Sequence, residues 1–113
     1  MEEAIGILRK YRDILQVLHW NYGKEYGKHL LFEKMIKDLD PLIDRFVEIF
    51  MGTEGTTFID NENITCPLEY TGDLTAFIQA AKGEFVSYLI NNKTQQNVVD
   101  DIVEMFDRHL YLC

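Results

Sequence analysis

Apolar residues return along this chain every three or four positions and almost nowhere every second position, a pattern that commits it to helices. The clearest stripe is Leu31, Met35, Leu39, Leu42, Ile43, Phe46 and Phe50, in a stretch from about Glu25 or Lys28 to Met51. Gly52 reads as its C-terminal stop. Pro41 falls inside the stripe and reads as a kink in one long helix rather than as the start of a new helix capped by Asp40. An earlier stretch, from about Glu2 to Tyr22, carries Ile7, Tyr11, Ile14, Leu15 and Leu18 on one face. Gly23 and Gly27 bracket a break between the two, as in a tight connection of antiparallel helices.

A third helix is expected from about Asp73 to Ile90, with Thr71 or Asp73 as its cap and Asn91-Asn92 at its end. Its inward face holds Leu74, Phe77, Ile78, Ala81, Phe85, Tyr88 and Leu89. A fourth begins after Thr94 and runs to about Leu112, with Val98, Ile102, Met105, Phe106 and Leu110 inward. Such a set predicts an all-α four-helix bundle in a single domain over 1–113. Residues 53–71 form a long loop between the second and third helices, and loops of that length in small domains often have a role. Asp60-Asn61-Glu62-Asn63 within it lacks the glycine and closing glutamate of an EF-hand, so it does not indicate a calcium loop.

A net charge of −8 repels phosphate backbones, which disfavours nucleic acid as a partner and favours cations. Apolar residues make up 47% of the 113, enough for one modest core that oligomerisation would help to stabilise. No apolar run reaches membrane-spanning length, and Met1-Glu2-Glu3 opens acidic, unlike a signal peptide. Two cysteines, Cys66 and Cys113, are too few for a disulfide scaffold. The expectation is a cytoplasmic protein with reduced thiols, in which the Asn63-Ile64-Thr65 sequon carries no meaning.

Chemistry concentrates on the second helix. At ~100° per residue, Glu33, Asp44 and Glu48 lie at roughly 40°, 60° and 100° from His29, so all four share one polar stripe. Carboxylates with an imidazole suit iron, manganese or zinc. One chain cannot close a site with them, because Glu33 and Asp44 stand ~16 Å apart along the helix. His29 with Glu48 and Glu33 with Asp44 are, however, both centred on about position 38.5. Two copies packed antiparallel about a two-fold axis there would bring His29 to Glu48 and Glu33 to Asp44, building two equivalent sites about 20 Å apart. His19, at the end of the first helix, can join His29 across the short turn.

The run from His19-Trp20-Asn21-Tyr22-Gly23 through Tyr26-Gly27 to His29, followed by Glu33 and the Asp44-x-x-x-Glu48 pair, resembles the Dps-like miniferritins of the ferritin superfamily. The likeness is clearest over residues 15–52 and has an echo in Asp107-Arg108-His109-Leu110-Tyr111-Leu112, similar to that family's closing helix. The resemblance implies a shortened ferritin-like bundle that forms at least a dimer, and in that family a larger shell. It also implies a ferroxidase site between subunits, with His19, His29 and Glu33 from one chain and Asp44 and Glu48 from its mate. The substrate implied is iron, taken up as Fe(II), one or two per site, and oxidised to Fe(III) by peroxide or dioxygen for storage or oxidative protection. Other divalent metals fit the same donors.

Plainer readings stand beside these. Polar residues at helical spacing are more often a solvated face, and a ferritin-like bundle can lose its metal and persist as a non-catalytic protein–protein interaction module. Trp20 reads as a packing residue at a helix end. His109 reads as a terminal histidine favoured by the helix dipole rather than as a ligand. Glu25 with Lys28 and Arg45 with Glu48 read as surface ion pairs of little energy.

Overall fold

A computed structural model of the chain describes residues 2–55, 66–89 and 96–113. Among them are four helices and no strand: α1 (Glu2–Asn21), α2 (Tyr26–Glu54), α3 (Leu74–Ser87) and α4 (Gln96–Leu112). Asp60 to Asn63, the sequon and Asn91-Asn92 lie outside the described residues.

Local causes set several of the helix ends. Glu2 and Glu3 place negative charge at the positive end of the α1 dipole. The turn after α1 is closed by backbone bonds from Tyr22 N–H to the Leu18 carbonyl and from Glu25 N–H to the Tyr22 carbonyl, each 3.0 Å. Asp73 caps α3 by accepting from Ala76 N–H at 3.1 Å. α3 stops at Ser87 with Tyr88 as its cap, a few residues before the expected end near Ile90.

The second helix also departs from its expected end. It runs through Gly52 and stops at Gly55, whose φ of 65° is left-handed and whose N–H bonds the Met51 carbonyl. Phe50 is buried and Met51 packs against the core, so burial holds the helix together past the first glycine. Pro41 sits inside this one continuous helix of 29 residues. At ~1.5 Å per residue that is ~43 Å, so α2 alone accounts for the 45 Å long axis of the molecule.

Neighbouring helices run antiparallel. Arg12 meets Asp40 while His19 meets His29, so as α1 advances α2 retreats. Asp38 lies near His109 while Arg45 meets Asp101, which sets α2 against α4 in the same way. Lys82 meets Asp107 and Phe85 meets Phe106 between α3 and α4. The packed pairs are α1 with α2, α1 with α3, α2 with α4 and α3 with α4. Around the bundle the order is therefore α1, α2, α4, α3, and α2 and α3 stand diagonally and point the same way. The segment joining them has to span the length of the bundle.

The core lies along the axis. Tyr11 is its hub, with ring centroids 5.0 Å from Phe106 and 5.5 Å from Phe77. Phe46, Phe85, Met35, Leu39 and Ile102 fill in around it, and Leu68 from the connecting segment is also buried. Each such side chain stabilises the fold by about 1.5–3 kcal/mol through burial. Ala4, Ile5, Leu8, Phe32, Ile36 and Val99 are buried beyond the residues the periodicity singled out.

Candidate metal centre

The short turn between α1 and α2 brings His19 and His29 face to face. Their rings stack with centroids 3.9 Å apart and planes 24° from parallel. His19 Nδ1 lies 3.2 Å from the His29 carbonyl oxygen, and His29 Nδ1 lies 3.0 Å from the His19 carbonyl oxygen. A carbonyl oxygen only accepts, so each Nδ1 must donate and carry the proton. In the neutral ring the lone pair then sits on Nε2. Metal-ligating histidines are held in this way, with the second ring nitrogen donating to a carbonyl or carboxylate. The pair therefore fits a metal in tautomer and in rigidity.

Glu33 stands beside them, one helical turn beyond His29. Gln16, His19, Glu33, Ile36 and Lys37 line a small open cavity of about 140 Å³. The Glu33 carboxylate is held by Lys37 Nζ at 3.2 Å, so a cation arriving there has an ammonium to displace. Asp44 and Glu48 lie further along α2 and are exposed. Asp44 lines a different groove with Arg9, Lys10, Arg12, Asp13, Asp40 and Ile43, in which Arg12 Nε donates to Asp40 at 3.0 Å. One chain thus stacks His19 on His29, sets Glu33 in the same cavity as His19, and leaves Asp44 and Glu48 elsewhere on α2. Among the described residues of a single chain, no group of three His, Cys, Asp or Glu is placed to hold a metal ion.

The expected ion pair of Glu25 with Lys28 forms at 3.5 Å. That of Arg45 with Glu48 does not, because Arg45 reaches across to Asp101 at 2.6 Å and leaves Glu48 without it.

A second polar group lies in the core, where no spacing announced it. His109 stands in the last turn of α4 as expected, but it is fully buried and its Nδ1 sits 2.8 Å from the Tyr11 hydroxyl. Burial pushes the Tyr11 hydroxyl far above the ordinary phenol range, with Cys113 adding to the shift, so it stays a donor. His109 Nδ1 therefore accepts, and Nε2 carries the proton. Asp38 Oδ2 is 3.4 Å from that Nε2, an electrostatic partner but too poorly placed to hydrogen bond, so Nε2 is buried without one. Burial lowers the pKa of His109, opposed in part by Asp38. The only sequence signal was the helical phase that turns His109 inward with Ile102 and Phe106.

No helix among the described residues is long and apolar enough to cross a membrane. Fold and site together define a four-helix, all-helical protein with a histidine pair clasped across its first turn. A family profile matches residues 19–113, and the chain belongs to that family, DUF5856, a family of unknown function. Neither a curated protein nor a solved structure matches the chain.

Proposed function

We propose that this chain is a ferritin-like iron-binding protein that takes up Fe(II) at sites shared between two copies and oxidises it. The observation that carries the reading is the reciprocal clasp of His19 and His29, which leaves each Nε2 as an acceptor, with Glu33 lining the same small cavity as His19. The single long crossover between α2 and α3 supports it, because bundles of the ferritin type have one such connection. His19 and His29 would act as neutral nitrogen ligands. Glu33 of one chain with Asp44 and Glu48 of its mate would neutralise the cation and favour Fe(III) over Fe(II). Each Fe(II) gives one electron to dioxygen or peroxide, which the solvent supplies.

A specific observation favours a second reading, a ferritin-like bundle that binds another protein without catalysis. Lys37 already neutralises Glu33, and Trp20 is 67% exposed beside the histidine pair. Anaerobic titration of the apo-protein with Fe(II), with the oligomer mass recorded in the same sample, separates the two. Saturable binding at about one to two irons per chain in an even-numbered oligomer supports the iron reading. Binding no greater than that of a His29→Ala control rejects it and leaves the interaction module. A mixed dimer of His29→Ala and Asp44→Ala chains should keep one intact site, whereas a homodimer of either variant keeps none.

A further inference from the structure

Where α1 and α4 finish and α2 and α3 begin, the ends of the bundle do not meet flush. They leave a cavity of about 520 Å³, within the ~300–1,000 Å³ of pockets that hold small molecules. It is separate from the histidine pair, since none of His19, His29, Glu33, Asp44 or Glu48 lines it. Its walls are rings and aliphatic chains. Tyr22 stacks on the buried Phe32 with centroids 5.7 Å apart, and Tyr70 packs edge-on against Phe77 at 5.5 Å. Leu31, Leu74 and Leu112 add apolar surface. Gly72 turns the chain between Tyr70 and the Asp73 cap with a φ of 100°, which glycine adopts without strain.

The polar groups of this lining are mostly donors. Lys28 Nζ stands 4.7 Å from the centre of the Tyr22 ring. Its ion pair with Glu25, at 3.5 Å, joins two side chains that are more than half exposed and is worth little. The hydroxyls of Tyr22 and Tyr70 make no hydrogen bond among the described residues. Burial raises the pKa of Tyr70, and Tyr22 and Asp73 raise it further against Lys28, so its hydroxyl stays protonated and can donate. Asp73 is the one acidic side chain in the described lining, and its carboxylate already accepts from Ala76 N–H. An ammonium and two phenols therefore face a single carboxylate that is in use. The complement is an apolar ring carrying an anionic acceptor. A cationic ligand would meet Lys28, whose ammonium already lies over the Tyr22 ring.

We infer that this cavity is a binding site for a small aromatic carboxylate, with its ring against Tyr22 and Tyr70 and its carboxylate on Lys28. The site uses no metal and no second copy, so it stands apart from the proposed iron chemistry.

Titration calorimetry of the full chain in metal-free buffer tests it. The probes are 2-naphthoate and its neutral and cationic counterparts, 2-naphthylmethanol and 2-naphthylmethylamine. Naphthoate should bind saturably at about one per chain, the alcohol more weakly and the amine least. Lys28→Met keeps the stem and removes the charge, and should weaken naphthoate about tenfold while leaving the alcohol unchanged. Tyr70→Phe keeps the ring and should weaken naphthoate by a smaller factor. Lys34→Met removes an exposed lysine of α2 outside the cavity and should change little. Circular dichroism of each variant shows that lost binding is not lost fold. The inference is overturned by an absence of saturable naphthoate binding, by amine binding as tight as naphthoate, or by a Lys28→Met loss no greater than that of Lys34→Met. Failure here leaves the iron reading untouched, and a chain that ignores Fe(II) but binds naphthoate keeps this site.

Discussion

Tyr11→Phe removes one oxygen from the centre of the bundle and leaves the packing of the ring against Phe77 and Phe106 intact. What is lost is the 2.8 Å bond to His109 Nδ1. His109 is fully buried and its Nε2 already lacks a hydrogen bond, so the variant leaves both ring nitrogens unpaired in the core. A lost bond that strands a buried acceptor costs about 1–3 kcal/mol. With about 4 °C per kcal/mol for a domain near this size, a loss of about 2 kcal/mol lowers Tm by about 8 °C. His109→Leu strands the Tyr11 hydroxyl instead and should cost a similar amount. The double variant replaces both polar partners with apolar groups and should lose less than the two singles summed, by about 1–2 kcal/mol. Urea unfolding followed by far-ultraviolet circular dichroism on all four proteins measures this, provided the slope stays constant. Strict additivity, or a Tyr11→Phe loss under about 0.5 kcal/mol, would show that this bond does not hold α1 to α4.

The same histidine predicts a pH dependence. Unfolded, its imidazole titrates near 6.5; folded, burial lowers that value, so between the two the unfolded chain binds more protons. This contribution is fully present above 6.5 and is lost as pH falls from there toward the folded value. Unfolding curves of His109→Leu should lack that component, and an unchanged pH profile in the variant would contradict the assignment. Asp73→Ala removes the α3 cap and should destabilise by about 1 kcal/mol, read as a lower urea midpoint. Glu33→Gln relieves the like-charge pairing of Glu33 with Asp44 of its mate in the proposed two-fold dimer. It should strengthen self-association in metal-free buffer and abolish any gain on adding Mn(II), both read by sedimentation equilibrium; weaker association would count against that pairing.

The helices were legible because burial on a cylinder repeats every 3.6 residues, and Tyr11, Leu15, Phe46, Phe85 and Phe106 are buried where that period puts them. Their order around the bundle was not, since periodicity gives each helix a face but not a neighbour. Gly52 looked like the stop of α2 because any glycine can take the left-handed turn; Gly55 is the one that does, where core contacts run out. Arg45 had an acid one turn away at Glu48, yet it bonds Asp101 on another helix, since a contact across a packed interface is held by both backbones. The Tyr11–His109 bond joins residues 98 apart in sequence, a separation no local pattern reaches. The stripe of His29, Glu33, Asp44 and Glu48 was legible as geometry on one helix. The carbonyl clasp that fixes the histidine tautomers was not, for it depends on where the backbone of one helix passes the ring of the other.

Because α2 and α3 are diagonal and parallel, the molecule is two antiparallel hairpins, α1 with α2 and α3 with α4, laid against each other. Pairing within the first hairpin closes a loop of only a few residues, whereas docking α1 on α3 or α2 on α4 closes loops of tens of residues. Local closure is entropically cheaper, so each hairpin is expected to assemble before the two meet. The Tyr11–His109 bond and the Arg45–Asp101 pair both lie across that late-forming boundary. They should therefore govern how slowly the folded chain comes apart more than how quickly it is made.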